Sequence, residues 1–164
     1  YHGGPDKAVY AYPAEHYAYW SELLQRDDLP HGQFGENFTV VGLLEKDVCI
    51  GDQFAIGSAV FEVTQPRVPC FKLGIRMGDP RFIKTFHNSR RVGFYLRVLR
   101  EGQIAAGDAI ALTHRPAETL TIDALYALRF GKEPSRDSLL HALRNPALSA
   151  AWREELGALL QSVS

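Results

Sequence analysis

Between Val48 and Leu112 apolar residues recur at every second position in short runs, and glycine turns separate the runs. Val48 with Ile50, Phe54 with Ile56, and Phe61 with Val63 are such pairs, and a period of two is the period of a strand. Val60 interrupts the alternation, which predicts cover on both faces of that strand. Gly93 to Leu99 reads as a further strand, followed by a turn at Glu101-Gly102. Gly51-Asp52 and Gly107-Asp108 each open a strand, so CIGDQFAI and AAGDAIAL echo each other. Two matches this short mark a reused turn, not a repeat architecture. Many short strands with few helices predict a mixed α/β fold, mainly β, built as a closed or nearly closed antiparallel β-barrel with peripheral helices.

The ends of the chain have a different period. Ahead of the strands, Pro13 suits the first position of a helix whose Tyr17, Trp20, Leu23 and Leu24 share one apolar face. His16 lies on that helix and reads as a surface or packing residue. Asp79-Pro80 caps a short helix with Phe82, Ile83 and Phe86 inward. After Pro116 the strand pattern stops. Thr121 to Phe130, closed by Gly131, is a helix; Ser135 caps a second with Leu139, Leu140 and Leu143. Asn145-Pro146 caps a third with Leu148, Trp152, Leu156, Leu159 and Leu160. The predicted division is a barrel domain over 1–116 and a small C-terminal three-helix domain over 117–164. Three short helices cannot bury much alone, so the leucines and Trp152 must pack together and against the barrel or a second subunit.

The chemistry is expected at Gln65 to Gly74. Two prolines, Pro66 and Pro69, stiffen the segment after the strand, and Cys70 follows the second. Arg67 and Lys72 flank the cysteine. Nearby cations favour the thiolate, which is the nucleophile and the metal ligand. The alternative is a small apolar side chain packed under the loop, since free cysteine is often buried. Cys49 sits inside a strand run and reads as packing. At the opening, His2, Gly3, Gly4, Asp6 and Lys7 put two glycines beside ionisable groups. Adjacent glycines let backbone amides approach an anion, and Lys7 can face a phosphate; the same residues also make a plain turn into a strand from Lys7 to Tyr12. Asn37, following a glycine, is either turn chemistry or a hydrogen-bonding group for a ligand.

Net charge is −1, which gives no global reason for nucleic-acid or membrane binding. The helical tail is not notably basic, so a DNA-binding role for it carries little weight. Two cysteines in 164 residues make no disulfide framework and point to a reducing compartment, most simply the cytoplasm. No stretch is long and apolar enough to span a bilayer. The chain begins at Tyr1 without a signal-peptide pattern, which reads as a trimmed or processed start.

Taken together, HGGPDKAVYAY, the run from Gly35 to Gly74 that ends in VPCFKLG, and GFYLRVL resemble the MOSC domain, named for the C-terminal domain of molybdenum cofactor sulfurases. With the helical tail, the chain is similar to the stand-alone bacterial YiiM-like branch. The resemblance covers nearly the whole chain, although family members carry further strand residues, some basic, ahead of HGGPDK. It implies a β-barrel that binds the molybdenum cofactor (molybdopterin), or sulfur destined for it, through one cysteine, here Cys70. In related oxidoreductases that sulfur coordinates molybdenum and N-hydroxylated compounds are reduced; the YiiM-like branch resembles them in activity towards N-hydroxylated bases. His2 and Lys7 match the family's opening motif, and their chemistry suits the cofactor's phosphate or pterin. Gly3, Gly4, Asp6, Asn37, Arg67 and Lys72 complete the expected cofactor-binding set.

The expected protein is thus a molybdenum-dependent reductase with Cys70 as the catalytic metal ligand and a small N-hydroxylated substrate. The chain has no flavin motif and too few cysteines for an iron–sulfur cluster, so an external electron-donating reductase is the expected partner. A homodimer is a further possibility. Two alternatives stand beside this reading: Cys70 as a persulfide carrier, and a non-enzymatic carrier of the cofactor.

Overall fold

The computed structural model describes residues 3–163. Its strands are β1 (Val9–Pro13), β2 (Phe38–Val40), β3 (Gln53–Ile56), β4 (Ala59–Pro66), β5 (Phe94–Arg100) and β6 (Ile110–His114). They form one curled, half-barrel sheet in the order β2-β1-β5-β4-β3-β6. The mainly antiparallel expectation holds with one exception: β1 and β2 pair in parallel, Ala11 opposite Phe38. The two echoing segments end up side by side, because β3 and β6 pair antiparallel with Ala55 opposite Ala111.

β4 and β5 form the long central ladder. Phe61 and Val63 on β4, with Phe94 and Leu96 on β5, point inward and are buried. The register of β4 against β5 shifts between Val60 and Phe61 and again between Val63 and Gln65. At the first shift Val60 pairs with Arg100 and Phe61 with Val98, so the extra residue of the bulge, Leu99, lies on β5. β4 keeps its alternation there, and Val60 is half-buried on the face opposite Ala59 and Phe61. Cover on both faces comes later, where Thr64, Gln65 and Pro66 are all buried. Val48 and Ile50 do not join the sheet. Cys49 makes an isolated bridge to Thr121, and Ile50 N–H donates to the Leu120 carbonyl at 2.9 Å, so this segment ties the tail to the sheet.

Six helices cover the sheet: α1 (Glu15–Leu24), α2 (Phe71–Met77), α3 (Phe82–Ser89), α4 (Ile122–Phe130), α5 (Arg136–Leu143) and α6 (Ala150–Ser162). Pro13 is the last residue of β1, not the first of α1. The buried stripe of α1 is His16, Tyr17 and Trp20, whereas Leu23 is 50% exposed. His16 is no surface residue: its Nε2 meets Glu45 Oε2 at 2.7 Å, and Glu45 Oε1 also accepts from Gly93 N at 2.9 Å. Its partner is remote in sequence. Asp79 accepts from Arg81 N at 2.9 Å, but α3 starts only at Phe82.

An aromatic cluster holds α1 and α3 on the sheet. The Trp20 and Phe86 rings stack 5.7 Å apart, Phe34 lies 4.7 Å from Tyr12, and Trp20 Nε1 donates to Tyr12 Oη at 2.7 Å. In the tail, Thr121, Ser135 and Ser149 cap their helices by accepting from Ala124 N, Ser138 N and Trp152 N. Asn145 therefore does not cap α6; its Nδ2 donates to the Ile50 carbonyl at 3.1 Å. Gly131 ends α4 in extended backbone, φ −72°, and a Cβ there would sit 2.5 Å from the Ala127 carbonyl oxygen. Leu125, Leu139, Trp152 and Leu156 are buried in the same apolar cluster as the sheet, as their spacing predicts.

Candidate functional site

β4 ends at Pro66, and the backbone of Arg67 makes one more bond across to β5, its N–H donating to the Gly93 carbonyl at 3.2 Å. The chain then turns through Val68 and Pro69. Cys70 takes extended backbone, φ −128° and ψ 174°, and stands as the N-cap of α2. That helix was not legible in the sequence, because its apolar Phe71 and Ile75 face outward, 64% and 73% exposed. It can lie close to α3 because residue 74 is glycine: a Cβ there would sit 3.0 Å from Pro80 Cα. The Cys70 thiol is half-buried.

Cys70 lines a cavity of about 330 Å³ with Gly3, Lys7, Tyr10, Phe34, Gly35, Asn37, Arg67, Lys72, Leu73, Arg76 and Tyr95. That is the lower end of the range for small-molecule sites. The glycine-rich opening and the cysteine loop thus converge, although more than half the barrel sequence separates them. The wall carries one thiol and the cations Lys7, Arg67, Lys72 and Arg76, with no carboxylate. A larger, more open hollow of about 830 Å³ lies between α4 and α5; its lining, with Lys132, Glu133, Asp137 and His141, brings no thiol.

Arg67 is the fixed cation of the group. It is 8% exposed, donates from Nη1 to Tyr10 Oη at 3.2 Å and to the Phe34 carbonyl at 3.1 Å, and stacks over the Tyr10 and Phe86 rings. Burial opposes its charge, but the facing oxygens of Tyr10 and Tyr95 and the Cys70 sulfur outweigh that, so its pKa rises and it stays protonated. Burial also pushes the Tyr10 phenol far above its ordinary range, with Arg67 pulling the other way. Tyr10 is therefore a neutral donor, to the Val92 carbonyl at 2.6 Å. Lys7 Nζ lies 5.9 Å from the centre of the Tyr95 ring. Lys72 and Arg76, one helical turn apart on α2, stand exposed at the rim.

Of the residues expected from the sequence, Gly3, Lys7, Asn37, Arg67, Cys70 and Lys72 share this wall. His2 lies outside the described residues. Gly4 precedes a 3-10 turn, Pro5–Lys7, with φ 93°, and its carbonyl accepts from Lys7 N at 3.1 Å, so Gly4 orders the turn without lying on the wall. The Asn37 carboxamide oxygen is already taken, accepting Tyr10 N at 2.8 Å, so the residue clamps β1 to β2. Asp6 is the correction. Its carboxylate accepts from Arg97 Nη2 at 2.8 Å and from Ala150 N at 3.0 Å, and its carbonyl accepts from Thr64 Oγ1 at 2.6 Å. It fastens the opening turn to the central ladder and the start of α6.

Asp6→Ala is accordingly expected to cost roughly 1–3 kcal/mol by removing charge-assisted bonds, seen as a fall of roughly 2–12 °C in a thermal melt. An unchanged melt would show that these bonds contribute nothing to stability. Cys49 is 2% exposed, and burial first, then Asp52, raises its thiol pKa, in line with packing. Tyr10, Phe34, Gly35, Leu73, Arg76 and Tyr95 were not singled out in the sequence. Only Arg76 leaves a local trace, four residues from Lys72, and it becomes meaningful once α2 is known to be a helix.

Among the described residues, no group of three or more His, Cys, Asp or Glu could hold a metal ion. No helix among them is long and apolar enough to cross a membrane.

Comparison with known proteins adds the family. The MOSC domain model matches residues 1–111. YflK of Bacillus subtilis is 41% identical over 152 residues, which cover 93% of this chain and 68% of YflK. A protein of Gibberella moniliformis named a reductase is 42% identical over 118 residues, 70% of this chain but 21% of the fungal protein. The crystal structure of YiiM from Geobacillus stearothermophilus superposes with a TM-score of 0.92 at 40% identity, covering 96% of this chain and 80% of that one.

Proposed function

The chain belongs to the MOSC domain family, whose members are associated with the molybdenum cofactor, and from that premise we propose that it reduces N-hydroxylated compounds, such as N-hydroxylated bases, at a molybdenum centre held by Cys70. The observation that carries the reading is the wall itself: one half-buried thiol among Lys7, Arg67, Lys72 and Arg76, without a carboxylate. A soft sulfur suits a redox metal, and clustered cations suit a phosphate-bearing cofactor. The donor set therefore fits the group. A molybdenum cofactor bound there supplies the two-electron removal of oxygen from the substrate.

The chain's own contribution is positioning. Cys70 Sγ is the protein ligand, set at the N-cap where the loop and α2 meet. Arg67, immobilised by Tyr10 and Phe34, holds a permanent positive charge behind the sulfur. Lys7, Lys72 and Arg76 neutralise phosphate nearer the rim. Buried Tyr10 and half-buried Tyr95 add neutral aromatic walls. We further propose that electrons come from a separate reductase, that neither nucleic acid nor a membrane is a partner, and that two copies of the chain can pair as a homodimer. The fungal relative named a reductase supports the redox assignment, with most of its length outside the match.

The direct test is molybdenum content together with single-turnover reduction of an N-hydroxylated base by the chemically reduced protein. Loaded metal and amine product are expected. A metal-free protein bearing a persulfide on Cys70 would replace the proposal with sulfur carriage, and loaded metal without turnover would leave a cofactor carrier. Lys7→Ala separates charge from ligation in the same assay. Loss of one charge-assisted hydrogen bond, roughly 1.5–3 kcal/mol, weakens loading by about one to two decades. Excess cofactor is expected to restore it, and undiminished loading would remove Lys7 from the site.

A further inference from the structure

α2 carries the sulfur at its N-cap and also presents a face to solvent. Phe71 and Ile75 stand four residues apart, so they share one side of the helix, 64% and 73% exposed. Neither lines the Cys70 cavity. A single exposed apolar side chain needs no reason, but adjoining ones that leave so much carbon in water mark a surface for contact.

The charge on the same face has one sign. Lys72 and Arg76 each follow one of the apolar pair by one residue, so they form the neighbouring stripe of the helix and border the cavity on its other side. α2 has no carboxylate of its own, and Asp79, the first one after it, is already paired with Arg81 at 3.0 Å. An apolar centre edged by cations complements a surface whose apolar centre is edged by carboxylates. The area is small, since seven helical residues span about 10 Å. Small contacts steered by charge are characteristic of electron-transfer partners, which must bind quickly and leave again. Phe71 follows Cys70 directly in the chain, so a protein seated here lies one residue from the sulfur. Electron transfer weakens steeply with distance, which favours a donor docked against this helix over one docked elsewhere.

We propose that the outer face of α2, with Phe71 and Ile75 at its centre and Lys72 and Arg76 at its edge, is the docking surface for a small acidic electron-carrier protein. The inference rests on the reading of Cys70 as a redox centre and locates where its electrons enter. Reduction of an N-hydroxylated amine breaks the N–O bond and forms an N–H bond and water, which takes two electrons and two protons. The carrier gives up the electrons one at a time, each transfer leaving it one step more oxidised, and solvent supplies the protons.

The test is titration of the full chain with a flavodoxin, an acidic flavin carrier, followed by calorimetry at low and at physiological salt. Saturable binding is expected, weaker at 0.15 M salt, where screening shortens the reach of the charges to about 8 Å. The double variant Phe71→Ser, Ile75→Ser is expected to lower affinity and flavodoxin-driven turnover by about tenfold or more. Single-turnover reduction by the chemically reduced protein should stay unchanged, because neither residue lines the cavity. Ile75→Glu and Ile75→Lys alter the same exposed position with opposite charge. The glutamate should repel the carrier and the lysine should hold it, a difference that a merely loosened helix would not produce. No saturable binding, equal affinity in wild type and the double variant, or equal affinity in the two charge variants would overturn the proposal. So would a dimer of the chain that the double variant splits, since a second copy would then cover this face. Binding is read without molybdenum. Failed titration with intact chemical turnover therefore rejects the docking surface alone, whereas salt-sensitive binding to a chain that takes up no metal rejects the reading of the Cys70 site alone.

Discussion

Cys70→Ser is expected to bring molybdenum content and reduction of an N-hydroxylated base down at least about a hundredfold, since even the outer-shell partners of a metal ligand carry ten- to a hundredfold. The exchange keeps the side chain's size and replaces a soft sulfur with a hard, poorly acidic hydroxyl. Folding is not the cause of the loss. Cys70 is only half-buried and makes no side-chain cap bond to α2, and serine is a favoured N-cap residue, so α2 is held at least as well. Cys49→Ser is the paired control. It puts a hydroxyl where 2% of the residue is exposed, so it should lower stability while leaving loading and turnover intact. Full turnover in Cys70→Ser, or its loss in a folded Cys49→Ser, would mean that the other sulfur does the chemistry.

The largest effect on stability is expected at Trp20, which does not itself line the Cys70 cavity. Trp20 is 0% exposed, stacks on Phe86, meets Phe82 edge-on at 5.1 Å and donates to Tyr12 Oη. Trp20→Ala removes the ring that joins α1 to α3 and orphans one bond. The cost is roughly 3–5 kcal/mol, which for a chain of this length lowers the melting temperature by roughly 6–20 °C. Trp20→Phe keeps most of the packing and should lose far less. The same cluster supports the site, since Phe34 offers its carbonyl to Arg67 and Phe86 lies under the guanidinium, 5.3 Å from its ring centre. A melt of Trp20→Ala within a degree or two of wild type would show that α1 is held by something other than this cluster.

The parts legible in the sequence are those written in near neighbours. Alternation marks β3, β4 and β5, and the 3.6-residue period, with Ser135 as a cap, marks α4 and α5. The cysteine between cations stood out for the same reason, because Arg67, Cys70 and Lys72 lie within six positions. Local reading failed where local chemistry has two outcomes. Asn145-Pro146 looked like a cap, but Asn145 bonds to Ile50, ninety-five residues away. Asp6 looked like part of a ligand turn and instead fastens that turn to Arg97 and Ala150. α2 was hidden because apolar Phe71 and Ile75 face out and only Leu73 is fully buried, against the pattern by which helices are recognised.

By itself, then, the sequence determined most of the strands and every helix but α2, the family and the candidate sulfur. These depend on side chains one to four positions apart, where backbone geometry leaves little choice. Tertiary structure decided the rest: that β1 runs parallel to β2, that His16 meets Glu45, and that Gly3 and Lys7 arrive beside Cys70. Those pairings join segments tens of residues apart. They depend on the register in which a curled sheet pairs its strands and on which helix faces cover it, and a one-residue slip in a strand would turn every one of its side chains to the other face.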